Sequence, residues 1–308
     1  MDRGEEEVSD SILVDLILEI FSRLPAKSVG RLCSMSKLWC SMLSQPYFTE
    51  LFLTRSRARP RLLFAIKRAG EWSFFSSPHQ PRNPHGNESF VAAEFHTKFC
   101  GPKYQNICRY TSGLICFPNM WFSKERRPMT VVCNPITGQH AILPRVMSHS
   151  QLTSFLGFDP IGKKFKVLAE VSPFCGGRFN MEILTLETGQ LTWRSKIDSP
   201  LSSTLREGLC INGVLYYIHE TFERPGHVID EDDYGTSDED SFHVNIVCFD
   251  VRSEKFKLIE ADFFCLDQDN HKLINYKGKL GGIRWEYTDN GVIELHLRVL
   301  EDVEKEVW

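Results

Sequence analysis

The residues that invite a chemical reading are three cysteines, Cys100, Cys108 and Cys116, spaced eight apart with His96 just upstream. Thiolate and imidazole both bind zinc. Structural zinc sites, however, draw on ligand pairs roughly two to four residues apart in a tight turn, and none of the ten cysteines forms Cys-x-x-Cys. They read as buried, reduced thiols that pack as small apolar groups. His219-Glu220 lacks the second histidine of a helical zinc motif. The run Asp230-Glu231-Asp232-Asp233-Tyr234-Gly235 opens like a calcium loop, but Tyr234 occupies a ligand position and Ser241 stands where the closing carboxylate is needed. With no Gly-x-Ser-x-Gly elbow and no Gly-x-x-x-x-Gly-Lys loop, the expectation is a protein without catalytic residues, metal or cofactor.

The charges that remain lie in two opposed stretches. The acidic segment 229–241 reads as a solvated loop, with Thr236 and Ser237 ahead of Asp238-Glu239-Asp240 as candidate sites for an acid-directed kinase. Arg55, Arg57, Arg59, Arg61, Lys67 and Arg68 read as a basic linker, or as a surface for an acidic partner or for the acidic loop. Overall, 36 Lys and Arg against 40 Asp and Glu give a net charge of −4, which offers no footprint for general nucleic-acid binding. An acidic N-terminus and the lack of an uncharged run near the ~20 residues of a spanning helix point to a cytoplasmic or nuclear protein without membrane contact.

These stretches divide two kinds of periodicity. Leu13, Leu16, Ile17, Ile20, Phe21 and Leu24 recur at the spacing of one helix face, with Asp10 or Ser11 as N-cap and Pro25 ending the helix. A second helix is expected from Ser28 to Met35 and a third through Leu38, Trp39, Met42 and Leu43, with one more turn or two between Tyr47 and Leu53. Three short helices cannot cover all these apolar side chains themselves, so another surface should.

From Arg61 the signal becomes short strands between turns. Leu62–Ile66 and Trp72–Phe75 flank Ala69-Gly70 as a hairpin. Ser112-Gly113-Leu114-Ile115 returns as Asn212-Gly213-Val214-Leu215 and, more weakly, as Lys277-Gly278-Lys279-Leu280. Acidic or Asn turns follow at Asn134, Glu187, Asp250 and Asp302, at intervals of 53, 63 and 52 residues, the longest holding the acidic segment. A second hairpin, Phe158 to Phe165, falls between the first two turns. A period near ~50 with several strands per unit is that of a kelch-like propeller blade. The β-region has room for about five, the last beginning near Gly278 and incomplete at Trp308. A β-sandwich is the competing architecture. The expected fold is therefore α+β and multidomain: a three-helix domain over 6–53, a basic linker over 54–60 and an all-β propeller-like domain over 61–308.

Ile12 to Ser28, with its Leu-Pro-x-Lys-Ser ending, and Met35-Ser36-Lys37-Leu38-Trp39-Cys40-Ser41-Met42-Leu43 resemble the two halves of an F-box. Phe158-Asp159-Pro160 and Leu300-Glu301-Asp302 resemble the F-box-associated domain of the plant F-box family. Leu13 stands where the family usually has Pro, and Met35 where it usually has Val. The resemblance implies a non-catalytic substrate receptor of an SCF-type cullin-RING ubiquitin ligase. Its F-box would dock on a Skp-family adaptor, and through it on cullin and RING subunits, through Ile12, Leu13, Leu16, Ile17, Ile20, Leu24, Pro25, Met35 and Trp39. Its β-domain would hold a protein substrate on loops at one propeller face, where Trp121, Phe122 and Arg178 are candidates not told apart from framework residues. The alternatives are a degenerate family member, a non-ligase interaction module, or a propeller enzyme with a helical appendage.

Overall fold

The structure is a computed structural model and describes residues 14–78, 92–100, 107–120, 129–146, 150–172, 180–187, 189, 191–198, 205–223, 241–261, 263–264, 270–288 and 290–308. Contacts divide the chain into two compact units: residues 1–104 with 134–139, and residues 105–133 with 140–308.

Unit 1 opens with helix α1, described over residues 14–21, followed by α2 (Ala26–Met35), α3 (Lys37–Leu43) and α4 (Pro46–Arg57). After α1 the backbone tightens to i→i−3 bonds, Arg23 to Ile20 and Leu24 to Phe21. Pro25 then adopts φ −59°, ψ 145° and starts α2. Leu18, Leu43 and Phe48 are buried at the centre of the helices, with Phe21, Leu32, Trp39 and Phe52 packed around them. The Phe21 and Trp39 rings meet edge to face at 5.4 Å.

The fourth helix is longer than the turn or two expected after Tyr47. Pro46 starts it at a position where the missing N–H costs nothing. Its far end is held because Phe52 joins the helical core and Arg55 reaches the Glu19 carboxylate on α1. Residues 54–57, expected in the basic linker 54–60, thus continue a helix, and only 58–60 connect it to the first strand. That strand belongs to unit 1: β1 (Arg61–Arg68), β2 (Glu71–Pro78) and β3 (Glu94–Cys100) form an antiparallel sheet. The compact units are therefore drawn differently from the periodicity, since this sheet groups with the helices.

Unit 2 holds four further antiparallel sheets among the described residues. They are β4 (Arg109–Thr111), β5 (Leu114–Met120), β6 (Met129–Cys133) and β7 (His140–Ile142); β8 (Ser150–Asp159), β9 (Lys164–Ser172), β10 (Asn180–Leu186) and β11 (Arg194–Asp198); β12 (Leu205–Ile211), β13 (Val214–Glu223), β14 (Ser241–Asp250) and β15 (Lys255–Glu260); and β16 (His271–Tyr276), β17 (Lys279–Tyr287) and β18 (Ile293–Val299). Each is a simple meander; the first strands β4, β8 and β12 contact one another, and β12 also contacts β16.

The core lies between successive sheets. Leu156 and Leu184 pack with Cys116 and Val132, Phe155 and Leu168 with Tyr217 and Phe249, and Tyr216 and Ile218 with Phe264 and Leu273. Because strand side chains alternate, Tyr216 and Tyr217 enter cores on opposite faces of one sheet. A sandwich sheet buries one face, whereas these central sheets bury both, as propeller blades do.

The repeated Gly motifs are two-residue turns with both residues at positive φ. Ser112-Gly113 sits at 46° and 92°, Asn212-Gly213 at 48° and 88°, and Lys277-Gly278 at 53° and 87°, the twist that antiparallel hairpins favour. The Asn and Asp repeats cap the next turn. Asn134 Oδ1 accepts from the Ile136 and Thr137 amides at 2.9 and 3.2 Å, and Asp302 Oδ1 from Glu304 and Lys305 at 2.9 and 3.1 Å.

Candidate functional site

The helices carry apolar residues that their own core leaves out. Leu16 and Ile20 lie one turn apart on α1 and are 54% and 59% exposed, and at the α2–α3 junction Met35 and Leu38 are 74% and 67% exposed. The intervening Leu18 is buried, so α1 divides its apolar residues between an inner and an outer side. Of the other expected interface residues, Pro25 is exposed, and Ile17, Leu24 and Trp39 are half-buried. Trp39 packs into the helical core through Phe21. Ile12 and Leu13 lie outside the described residues. Leu38 was not expected in the set; it occupies the free position of the Ser-Lys-x-Trp motif, where residue type alone gave no signal.

A second candidate region lies at one end of unit 2. The connections 121–128, 173–179 and 224–240 join β5–β6, β9–β10 and β13–β14 at the end opposite the two-residue hairpins. Trp121, Phe122, Arg178 and nearly all of the acidic run fall in these connections, outside the described residues. Toward this end the buried strand residues turn polar: Arg109, Thr153, Ser154, Glu170, His219 and His271. The Arg109 guanidinium lies 4.3 Å above the centre of the Phe155 ring and donates to the Ser154 carbonyl at 2.8 Å and Thr153 Oγ1 at 3.2 Å. Burial pushes the Glu170 carboxyl up to about 7 and the His219 imidazole down to about 4. Among the described residues neither buried His219 nitrogen has a hydrogen-bond partner. Buried titratable groups held this far from their ordinary values gather at binding sites more than elsewhere. The sequence signal for Glu170 was a lone carboxylate inside the run Val167-Leu168-Ala169-Glu170-Val171.

The cysteine set is not assembled. Cys100 Sγ lies at the edge of the first sheet, 3.4 Å from Glu71 Oε1, whereas Cys116 is buried in β5, 3.9 Å from Ser154 Oγ. Among the described residues no three His, Cys, Asp or Glu side chains gather as a metal ion would need. Among them, too, no helix is long and apolar enough to cross a membrane.

A small helical module followed by a propeller-type β-domain is the class the fold defines. The F-box domain family matches residues 13–51 and the F-box associated beta propeller domain residues 61–308. The chain is 51% identical over 302 residues to the Arabidopsis thaliana F-box protein At3g57590, covering 96% of this chain and 69% of the relative. It is 49% identical over 308 residues to the putative F-box protein At5g42430 of the same plant, covering 98% and 72%. Against the Arabidopsis F-box protein At2g23160 it is 41% identical over 326 residues, covering 97% and 99%. The chain belongs to the plant F-box proteins that carry an F-box-associated propeller domain.

Proposed function

We propose that this chain is the substrate-recognition subunit of an SCF-type cullin-RING ubiquitin ligase, a receptor with no chemistry of its own. The observation that carries the reading is the outer row of the F-box helices: Leu16, Ile20, Met35 and Leu38 stay in water although their neighbours fill a core. Exposed large apolar side chains on so small a module mark a contact surface. The partner is a Skp-family adaptor, which brings cullin and RING subunits with it. Leu16, Ile20, Pro25 and Met35 serve as direct contacts, and Ile12 and Leu13 complete the expected set of adaptor-binding residues. Ile17, Leu24 and Trp39 contribute from half-buried positions and hold the helices in place.

The β-domain presents the protein substrate at the long-connection end of unit 2, above the buried polar residues Arg109, Glu170 and His219. Catalysis then rests on position. Holding a substrate lysine beside the ubiquitin-loaded enzyme replaces a bimolecular encounter by one at high effective concentration.

Pull-down with a Skp-family adaptor tests the reading. Wild type is retained, and Leu16→Asp and Ile20→Asp each reduce retention by roughly tenfold or more, as removal of a central apolar anchor does. No retention of wild type above background overturns the ligase reading, and retention unchanged in both variants overturns the surface.

A further inference from the structure

Unit 1 contains a cleft of about 560 Å³ between the α1–α2 connection, the end of α4 and the first sheet. That volume lies in the ~300–1,000 Å³ range of small-molecule sites. Four cationic side chains line it, Arg23, Lys27, Arg59 and Arg61, and Glu94 is the one carboxylate among the lining residues. Their pairing is unequal. Arg23 pairs with Glu19 at 2.9 Å, and Glu19 also serves Arg55. Arg61 pairs with Glu94 at 3.2 Å and is fixed by a bond from its Nε to Ser76 Oγ at 2.9 Å, which in turn meets His96 Nε2 at 2.6 Å. Among the described residues Lys27 and Arg59 have no carboxylate partner, and Arg59 Nη1 donates only to the Arg23 carbonyl at 3.1 Å. Burial lowers the proton affinity of His96 most; Glu94 acts to raise it, and Arg61 and Lys27 act to lower it.

Two uncompensated cations on one cleft call for a ligand with two negative charges. The rest of the lining is mixed, with Phe52 on α4, Pro78 at the end of β2 and Ile136 from the 134–139 turn as apolar wall and Ser56, Ser76 and His96 as polar groups. We infer that this cleft binds a small phosphate monoester with an apolar body, its phosphoryl group on Lys27 and Arg59 and its body against Phe52 and Ile136. A phosphate monoester carries about two negative charges near neutral pH and offers three acceptor oxygens, which suits a guanidinium fork beside an ammonium. A carboxylate supplies one charge and leaves one cation unmatched. The inference stands apart from the adaptor reading, because the ligand would bind the chain alone.

Titration calorimetry on the full chain without adaptor tests it, using phenyl phosphate, inorganic phosphate, benzoate and benzyl alcohol as probes. Phenyl phosphate binds more tightly than inorganic phosphate and roughly tenfold or more tighter than benzoate, and its affinity falls between about 50 and 300 mM NaCl. Lys27→Met weakens phenyl phosphate, the pair Lys27→Met with Arg59→Gln weakens it further, and Lys27→Arg retains it, with circular-dichroism melting unchanged throughout. No heat with phenyl phosphate, equal binding of benzyl alcohol, or affinity unaffected by the double substitution overturns the inference. Should the double variant melt early, Lys27→Met alone decides, since Lys27 makes no ion pair among the described residues.

Discussion

The side-chain amide of Asn212 donates to the carbonyl of Gly278 across 3.1 Å, tying the β12–β13 turn to the β16–β17 turn. On its other side the same turn meets the β8–β9 turn, where a Cβ placed on Gly213 would lie 2.9 Å from Pro160 Cδ. Three hairpin turns from three successive sheets therefore touch in sequence at the short-turn end of unit 2. Side chains join the turns at this end: Lys166 Nζ on β9 donates to the Val251 carbonyl in the β14–β15 turn at 2.6 Å and pairs with Glu254 at 2.7 Å.

Gly213→Ala tests the contact with Pro160. Gly213 has φ +88°, where a Cβ is strained, and the new methyl would have to displace a rigid ring. The expected loss is about 1–3 kcal/mol by chemical denaturation. Gly113→Ala is the internal reference: its φ is +92° but nothing lies within 4 Å of the added Cβ. It should lose only the strain, ~1 kcal/mol, and equal losses at the two positions would remove the turn contact from the account.

The same turns show how far the sequence could be read. Ser112-Gly113, Asn212-Gly213 and Lys277-Gly278 were visible as repeats because a two-residue hairpin at positive φ restricts residue type, and these pairs became equivalent first turns of three sheets. The length of α4 was not legible. It depends on Arg55 meeting Glu19, 36 positions away, and local pattern carries no information about so distant a pairing. The candidate interface was legible by residue type but not by side. The period shared by Leu13, Leu16, Ile17 and Ile20 does not say which positions face inward, and Leu16 stays exposed while Leu18, off that pattern, is buried. The Glu170 and His219 environment needed strands β9 and β13 of two different sheets in one unit, and only the folded sheets supply that.

Leu16 and Leu18 give the second prediction, since two leucines on one helix should respond oppositely. Leu18→Ala removes a buried side chain from a core only a few residues wide and should destabilise unit 1 by about 2–5 kcal/mol. Leu16→Ala removes an exposed one and should alter stability by less than about 0.5 kcal/mol, measured by thermal melting, while weakening adaptor binding. If Leu16→Ala lowers the melting temperature as much as Leu18→Ala, the outer row belongs to the fold and not to a partner.

Thiol labelling gives the third. Burial pushes the Cys116 thiol up to about 11, and those of Cys133 and Cys248 up to about 12, whereas Cys100 is exposed on the first sheet. Reaction with an alkylating agent needs both access and thiolate. At pH 8 iodoacetamide should modify Cys100 within minutes and leave Cys116, Cys133 and Cys248 unmodified until denaturant is added, read by peptide mass spectrometry. Early modification of Cys116 would mean that the core between the second and third sheets opens in the native protein.

Glu170 and His219 make opposite demands on pH. Glu170 has a folded value near 7, above its ordinary 4.5, so between those values the folded chain holds a proton that the unfolded chain has lost. Stability from Glu170 is therefore full below about pH 4.5 and falls as pH rises to 7. His219 has a folded value near 4, below its ordinary 6.5, so between those values the unfolded chain holds the extra proton. Stability from His219 is therefore low at pH 4 and rises until pH 6.5. The two windows overlap with opposite slopes, and wild type should show little net dependence from these groups between pH 4.5 and 6.5. Glu170→Gln removes the falling limb. It should gain stability at pH 8, on the order of 2 kcal/mol, and expose the rising His219 limb between pH 4 and 6.5. Denaturation midpoints across pH 4–8 read both effects. A Glu170→Gln curve parallel to wild type would show that the Glu170 carboxyl titrates alike in the folded and unfolded chain, and would remove its burial as a source of pH dependence.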